Sequence, residues 1–472
     1  MAKSFSLEAV ILGRNDEYEP NWTENLYSVI AYNRARFEGS NVDYRVAFVE
    51  WNPPEGRPLL APALLQRFPF LRVIVVDREV HNKLCTAPDL QMMVNFGFNV
   101  GFRTTAADFT MTTCGDDFWG ESLCRRIRDE GLQPSRLYRA ERVNVKRDLP
   151  FASIQPAELE DPKNTVLVDT CAEPPYDKPP YTRASGDFSL TDSGTMFGIG
   201  GMDESVREAR LHLDSRLVVS LMGVIEDCVM LGRIYHITHT TSYRFKRRAQ
   251  GRLYVWDEGL PYVNPENWGL ADFTWEHVDD RYYRVTLPQP GRARSVPERL
   301  APPARLRAET VRSCLRSIHD SLHPEHPHMP VDRTSNSLDL WTVASSPSWG
   351  SDLERVGDEL RVETSPAQWA PGAVFPLIMK EPITEQRWNW ARVIVRVEEG
   401  AVSISVVDES MNALHERYVH RGEQRETFIP VPPTGRHVLV RNIDDSQSRS
   451  IAVFREMELV GHAKTAANGE LH

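Results

Sequence analysis

Short apolar runs alternate with helical stretches through the first 113 residues, and this alternation restricts the fold more than any other feature of the chain. The apolar runs, each the length of a buried strand, lie at 7–12, 44–49, 71–76 and 109–113. The helical stretches between them lie at 20–36, 59–68 and 90–104. Strands and helices at this spacing build βαβ units around a parallel sheet. The first part of the chain is therefore predicted to be an α/β domain.

Polar side chains follow three of these four strands. They are Arg14, Asn15 and Asp16 after the first strand, Glu50 and Asn52 at the end of the second, and Asp116 and Asp117 after the fourth. Right-handed crossovers place the carboxyl ends of parallel strands at one edge, where open α/β sheets bind ligands. The pair Asp116 and Asp117 is either a cation site or a solvated turn, since aspartate is common in turns. The expected convergence favours the cation site.

Composition argues against several classes of protein. The net charge is −11 and no dense Lys/Arg block occurs beyond 244–248, so a nucleic-acid partner is not expected. No apolar run approaches the roughly 20 residues that cross a bilayer, so no integral membrane segment is predicted. The start of the chain lacks the apolar core of a secretory signal, and the six cysteines form no CxxC pair. We therefore expect reduced thiols and a cytoplasmic location.

The hydrophobic pattern changes to a period of two in the last third of the chain. Short apolar runs separated by Gly, Pro, Asn and Asp recur over 336–462 and predict an all-β sandwich of jelly-roll type. Residues 286–335 are rich in Pro and Arg, with one helix predicted at 308–319, as expected of a linker. The predicted organisation is a first domain over 1–285, this linker, the sandwich, and a tail over 463–472.

Several motifs at the predicted strand ends resemble those of a known enzyme family. They are VILGRNDEY at 10–18, FVEWNPP at 48–54, TCGDDFW at 113–119, GDFSLTDSGTMFGIGGMDE at 186–204, HLDSRL at 212–217 and YHITHTTS at 235–242. In this order they resemble family-2-like, GT-A-fold nucleotide-sugar glycosyltransferases, and the resemblance covers about residues 5–245. It implies a Rossmann-like, mainly parallel sheet and metal-dependent transfer of a sugar, with inversion, from a UDP-sugar to a glycan or lipid-linked glycan. The sandwich pattern is similar to the carbohydrate-binding-module-like domains of some bacterial glycosyltransferases.

This resemblance implies a role in polysaccharide biosynthesis. It is compatible with a homo-oligomer and with a peripheral position at the inner face of the membrane. The acidic motif is Gly-Asp-Asp rather than Asp-x-Asp, which leaves open whether Asp116 or Asp117 touches the metal.

A divalent cation would neutralise the charge that grows on a leaving diphosphate. Oxygen ligands suit Mg²⁺ or Mn²⁺, and imidazole is compatible with Mn²⁺. Asp116, Asp117 and one of His236 and His239 are the expected ligands. The two histidines are three residues apart and so not on one strand face, which predicts that only one binds metal. The resemblance favours His236; the alternative is a pair of ordinary histidines at a strand end.

The donor site is expected at the ends of the first two strands. Glu50 could accept a hydrogen bond from the N3–H of uracil, and such pairing discriminates bases well. The alternative is that Glu50 and Asn52 belong to a capped turn before Pro53. Arg14, Asn15 and Asp16 are the other expected nucleotide contacts, together with Asp116, and the same alternative of a structural turn applies to them.

Asp214 is the expected general base. The acceptor hydroxyl must lose a proton as it attacks, and a carboxylate within hydrogen-bond reach can take it. The resemblance places Asp214 at that position; the alternative is a cap on the helix predicted at 215–222. Asp187 is expected either to contact the acceptor or to be structural.

Two other functions fit parts of the sequence. One is a carbohydrate-binding or scaffold protein that keeps the fold without catalysis. The other is a nucleotidyltransferase, which shares the nucleotide-binding half but does not need the downstream region with Asp187, Asp214 and the two histidines.

Overall fold

The computed structural model describes most of the chain as two compact units. The described residues are 4–16, 19–86, 90–169, 171–172, 181, 184–204, 207, 213–239, 264–289, 296–297, 299–322, 336–337, 351–377, 387–444 and 448–463. Among them, the residues up to Leu315 form the first unit and those from Arg316 onward form the second.

The first unit is a mixed α/β unit. Its strands are β1 (Phe5–Gly13), β2 (Val42–Trp51), β3 (Leu71–Val76), β4 (Phe109–Thr113), β5 (Asp117–Trp119), β6 (Arg136–Val145), β7 (Thr165–Asp169), β8 (Ser189–Asp192), β9 (Asp227–Ile237), β10 (Thr274–Asp279) and β11 (Tyr282–Thr286). Its helices are α1 (Trp22–Ala35), α2 (Ala61–Arg67), α3 (Arg78–Leu84), α4 (Val94–Arg103), α5 (Glu121–Asp129), α6 (Pro156–Leu159), α7 (Ser193–Ile199) and α8 (Leu213–Met222), with a 3₁₀ turn at Pro162–Asn164. A further helix, α9 (Pro302–Leu322), begins in this unit and is longer than the predicted 308–319.

One large sheet forms the centre of the first unit. Its strand order is β10-β11-β3-β2-β1-β4-β8-β6-β9-β5, and β7 pairs with β6. The four predicted strands, now β1 to β4, are parallel neighbours, which confirms the βαβ reasoning. The sheet as a whole is mixed, because β8 runs antiparallel to both β4 and β6.

The apolar strands are buried on both faces. Every residue of β3 and β4 is buried, as expected when helices cover both sides of a parallel sheet. The one charged side chain of β3, Arg72, donates to both carboxylate oxygens of Glu8 on β1, at 2.9 and 2.7 Å, and also to the Thr104 hydroxyl at 2.6 Å. This pairing satisfies two charges that burial would otherwise make costly.

The second unit is a β-sandwich, as the period-two pattern predicts. Its strands are β12 (Asn336–Ser337), β13 (Asp352–Val356), β14 (Glu359–Glu363), β15 (Pro371–Pro376), β16 (Arg387–Glu399), β17 (Ala401–Val407), β18 (Ala413–His420), β19 (Gln424–Pro430), β20 (His437–Asn442) and β21 (Ile451–Ala463). One sheet has the order β13-β14-β21-β16-β19 with β12 beside β21, and the other has the order β15-β20-β17-β18. Side chains from both sheets share one core, in which Phe375 and Phe454 lie with ring centroids 5.7 Å apart.

No helix among the described residues has both the length and the apolar character needed to span a bilayer.

Candidate functional site

The two adjacent aspartates lie where β4 ends and the short strand β5 begins. Asp117 pairs with His236 in the antiparallel register of β5 and β9. The buried side chain of Asn33, on α1, fixes β5 from the other side: it donates to the Asp117 carbonyl at 2.9 Å and accepts from the Trp119 N–H at 2.9 Å. The main chain that carries the acidic pair is therefore held by both a strand and a helix.

Asp116, His236 and His239 form one set of candidate metal ligands, whose ligand atoms lie within 4.8 Å of one another. His236 Nε2 is 2.9 Å from His239 Nε2, and His239 Nε2 is 3.2 Å from an Asp116 carboxylate oxygen. Two facing imidazole nitrogens beside a carboxylate are a donor set that fits a divalent transition metal. The residues present therefore fit the metal that the sequence predicts.

Both histidines face this set, and the expectation that only one of them binds metal stays a prediction. That prediction assumed a continuing strand, but β9 ends at Ile237, one residue after His236. The chain then turns: the Thr238 N–H and hydroxyl both donate to the Val145 carbonyl, at 3.0 and 2.6 Å. This turn brings His239 back toward Asp116.

Asp117 belongs to a different set. One of its oxygens lies 2.9 Å from His236 Nδ1, and the other accepts from the Cys114 N–H at 3.0 Å. A carboxylate on the far nitrogen of a metal-binding imidazole orients the ring and selects its tautomer. With Cys114 and Asp187, Asp117 also forms a second group of candidate ligand atoms within 4.8 Å. Both acids thus approach His236 Nδ1, Asp117 at 2.9 Å and Asp116 at 3.5 Å, and Asp116 also approaches His239 Nε2 at 3.2 Å.

Asp187 is the third acid of the site. Its carboxylate pairs with the Arg142 guanidinium at 2.7 Å, accepts from the Ser185 hydroxyl at 3.0 Å and contacts the Cys114 thiol at 3.4 Å. Arg142 was not expected from the sequence, because β6 carries several arginines and only the fold shows which one faces the acids.

Burial sets the charge state of these groups. It is the largest cause of a raised pKa at Asp116 and of the lowered pKa of His236, about 4. Burial, followed by the charge of Asp187, raises the pKa of Asp117. Burial acts in the same direction on Asp187, but Arg142 and His236 outweigh it and lower the pKa of Asp187 to about 2. A cation beside Asp116 and Asp117 would favour their ionised forms.

Glu50 is not placed to contact a nucleotide base, which corrects the role expected for it. Its side chain is fully buried, and its two oxygens accept hydrogen bonds from the Leu60 and Ala61 N–H groups at 2.8 to 3.0 Å. These donors are at the start of α2, so Glu50 stabilises a helix N-terminus. Burial raises the pKa of Glu50 to about 7, against the opposing effect of the two N–H groups.

The ends of β1 and β2 do meet. Arg14 and Asn52 both donate to the Gln91 carbonyl at 2.9 Å, and Arg14 also pairs with Asp16 at 3.0 Å. Asn15 donates to the Pro58 carbonyl at 2.8 Å. These bonds hold the loops above the strand ends, and a nucleotide contact at Arg14, Asn15, Asp16 or Asn52 stays a prediction.

Asp214 lies in the first turn of α8, which begins one residue earlier at Leu213. Its side chain is outside the described part of the chain, so its role as general base stays a prediction.

A cavity of about 310 Å³ opens beside Asp116 and His239. It lies between the start of α1 and the turn at 147–153 that follows β6. The sequence did not indicate it, because its two sides are distant along the chain.

Comparisons with known proteins find no matching family model and no matching curated protein. Among solved structures, a mutant of the carbohydrate-binding module CBM29-2 is 13% identical, with 26% of this chain and 84% of that chain covered and a TM-score of 0.20. The CBM22-1–GH10 modules of Clostridium thermocellum xylanase 10B are 14% identical, with 23% and 24% covered and a TM-score of 0.18. The structure of PfGH50B is 10% identical, with 28% of this chain and 26% of that chain covered and a TM-score of 0.20. Likenesses at this level carry no argument about activity.

Proposed function

We propose that the first unit is a metal-dependent GT-A glycosyltransferase that moves a sugar from a nucleotide diphosphate donor, UDP by the sequence resemblance, to a glycan hydroxyl. The observation that carries the proposal is the set of Asp116, His236 and His239 beyond the ends of β4 and β9. Sheets of this class bind ligands at that edge.

The donor set favours Mn²⁺ over Mg²⁺, because it contributes two imidazoles and Mg²⁺ prefers oxygen. A divalent cation held there would neutralise charge developing on the leaving diphosphate. The lowered pKa of His236, about 4 and due mainly to burial, leaves the ring neutral at pH 7, the form that binds metals. Asp117, 2.9 Å from Nδ1 of that ring, would orient it so that Nε2 faces His239.

The acceptor proton needs a separate base. Asp187 is a weak candidate, because its pKa is lowered to about 2 by Arg142 and His236 in spite of burial. We therefore keep Asp214 as the proposed general base, acting in an inverting displacement.

The test is calorimetric titration of Mn²⁺ and then of UDP with Mn²⁺ present, compared between wild type and Asp116→Ala. Asp129→Ala, at an exposed aspartate of α5, is the matched control. We expect Mn²⁺ binding that is lost only in Asp116→Ala, UDP binding that depends on it, and metal-dependent release of UDP from a UDP-sugar. Pyrophosphate release from a nucleoside triphosphate would instead indicate a nucleotidyltransferase.

A second candidate function is carbohydrate binding by the β-sandwich, and one local arrangement favours it. Trp369 is 39% exposed, and its ring lies 6.2 Å from that of Tyr418 on β18. Trp369 has a backbone φ of 65°, which costs energy for a bulky residue, and its N–H is held by the Asn442 carbonyl at 2.6 Å. Exposed aromatic rings can pack on the apolar faces of sugars.

Polar groups accompany the two rings. The Tyr418 hydroxyl donates to Glu416 at 2.8 Å, and Glu416 also accepts from Ser405 at 2.8 Å. A carboxylate between two hydroxyl groups can exchange these bonds for bonds to sugar hydroxyls.

The test for this candidate is affinity electrophoresis of the full chain in soluble xylan, glucomannan and β-glucan. Trp369→Ala should abolish any retardation, whereas Val356→Ala, at an exposed apolar residue of β13, should not change it. Glycan retardation with no turnover of any nucleotide sugar would favour the non-catalytic binding protein over the enzyme.

A further inference from the structure

The cavity beside Asp116 and His239 has one rigid aromatic wall. Trp22, the first residue of α1, packs against the backbone of Gly13, where a Cβ atom would collide with the indole ring. A Cβ on Gly115 would lie 3.4 Å from the same ring. Glycines at the ends of β1 and β4 therefore make room for the indole directly beside Asp116.

The opposite wall is equally well fixed. The Phe151 ring stacks on buried Phe118 with centroids 5.3 Å apart, and the Lys146 N–H donates to the Asn164 carbonyl at 2.9 Å. Arg147, on the same turn, lines the cavity. The cavity is thus bounded by ordered structure on both sides.

Four polar side chains that line the cavity have no hydrogen-bond or ion-pair partner within the described ranges. They are Asn21, Glu24, Asn25 and Arg147. Arg147 is an exposed cation that faces a space also bounded by metal-ligand candidates. A ligand could therefore bind these side chains without breaking hydrogen bonds or ion pairs within the described ranges.

We propose that this cavity binds a glycosyl phosphate, with the phosphate between Arg147 and the metal at Asp116 and His239, and the sugar ring against Trp22. This inference rests on the proposed metal site and names the ligand that the site takes. Nothing in the sequence motifs assigns Trp22, Glu24 or Arg147 to it.

The chemistry of the walls selects this ligand class. Arginine binds phosphate through paired, charge-assisted hydrogen bonds, and the metal takes a phosphate oxygen. A neutral sugar would leave Arg147 unused, and a bare phosphate would leave the indole and the two carboxamides unused. Glu24 accepts hydroxyl hydrogens, and Asn21 and Asn25 both donate and accept. The volume, about 310 Å³, is at the lower end of the range of ligand pockets, as expected for one sugar ring with its phosphate.

The experiment is calorimetric titration of the full chain at pH 7.5 with saturating Mn²⁺. The probes are glucose 1-phosphate, galactose 1-phosphate, inorganic phosphate, glucose and UDP-glucose. The variants are Arg147→Gln and Glu24→Gln, with Arg125→Gln as the matched control, since Arg125 is an exposed arginine on α5 and does not line the cavity.

We expect a glycosyl phosphate to bind more tightly than phosphate or glucose. Arg147→Gln should weaken it about tenfold to hundredfold, the range for a hydrogen bond to a charged group, and leave Mn²⁺ affinity unchanged. Glu24→Gln should weaken the glycosyl phosphate but not inorganic phosphate. If only UDP-glucose binds, and its affinity falls in Arg147→Gln, the cavity takes the glycosyl phosphate as part of a nucleotide sugar. If glucose 1-phosphate binds with the same dependence on Arg147, the cavity also takes the free sugar phosphate.

The inference is overturned if Mn²⁺ binds but no glycosyl phosphate does, or if Arg147→Gln behaves as Arg125→Gln does. Failure of Mn²⁺ to bind counts against the proposed function instead. If a glycosyl phosphate binds through Arg147 although Mn²⁺ does not bind, the cavity is the ligand site as proposed. Only the contact between the phosphate and the metal is then overturned.

Discussion

The Nε2 atoms of His236 and His239 lie 2.9 Å apart, the distance of a hydrogen bond between a protonated and an unprotonated ring nitrogen. The other nitrogen of His236 is occupied by Asp117 at 2.9 Å. The facing pair is therefore oriented by a carboxylate outside it, as metal-binding histidines usually are.

Replacing either histidine of this pair should remove metal binding. His239→Ala deletes one of three ligands and should weaken Mn²⁺ by more than the 10–100-fold typical of changes behind a ligand. His277→Ala, at an exposed histidine of β10, is the control. Titration of Mn²⁺ by calorimetry measures both. Equal affinities would show that His239 is an ordinary residue at a strand end.

Asp117→Asn tests the orienting role. The change keeps the size of the side chain but weakens its bond to His236 Nδ1, so Mn²⁺ affinity should fall about 10–100-fold, less than for His239→Ala. If Asp117→Asn abolishes binding as completely as Asp116→Ala does, Asp117 is itself a ligand.

Asn33 should matter to both stability and metal binding. Asn33→Ala leaves the Asp117 carbonyl and the Trp119 N–H without their buried partner, which should cost about 1–3 kcal/mol. Denaturant unfolding measures that loss, and Mn²⁺ titration should show a weaker site because β5 is no longer held. Asn82→Ala, at an exposed asparagine of α3, is the comparison.

The buried Glu50 predicts how the stability of the first unit depends on pH. Its pKa is raised to about 7 in the folded chain, mainly by burial, from an ordinary value of 4.5. Between these values the folded state holds more protons than the unfolded state, so this contribution is complete below pH 4.5 and is lost as the pH rises through 7. Glu50 lowers the free energy of unfolding by at most about 1.4 kcal/mol for each pH unit in this interval.

Glu50→Gln should flatten this dependence on pH. Melting curves from pH 5 to pH 8 would show it, with Glu38→Gln, an exposed glutamate, as the control. If the variant and wild type lose stability in parallel, the ionisation of Glu50 does not couple to folding.

The sequence was sufficient for the strands because their signal is local. In the first unit, the four continuous apolar runs predict strands that are buried on both faces, and these strands are present. In the second unit, the period-two runs predict strands that are buried on one face, and these strands share one core. The same reasoning located Asp116 and Asp117, because acids at strand ends stand out against apolar neighbours, whereas Asp187 came from the family resemblance.

Contacts between distant segments could not be predicted. Glu50 was expected to face a ligand, yet α2 starts beside it and takes both oxygens. The strand period suggested that His236 and His239 do not share a face, yet the chain bonds to the end of β6 at Thr238 and brings the two rings together. Arg147 and Trp22 share a cavity although 125 positions separate them in the numbering. In each case the outcome depends on which element packs nearby, and a single sequence does not record that.

Asp214→Asn should lower the rate of transfer by about 10²–10⁴, the range for loss of a positioned general base, with donor affinity nearly unchanged. Asparagine keeps the size and can still accept a hydrogen bond in the first turn of α8, but it cannot take a proton. The metal candidates lie just before β5, near the end of β9 and just after it, so Mn²⁺ and UDP titrations should be the same as in wild type. Single-turnover release of UDP from a UDP-sugar in the presence of glycan acceptors measures the rate.

Asp187→Asn is the comparison for this prediction. If Asp187→Asn loses more of the rate than Asp214→Asn does, at equal donor affinity, the general base is Asp187 despite its pairing with Arg142. A lower melting temperature together with lost donor binding in Asp214→Asn would show that Asp214 stabilises the helix instead.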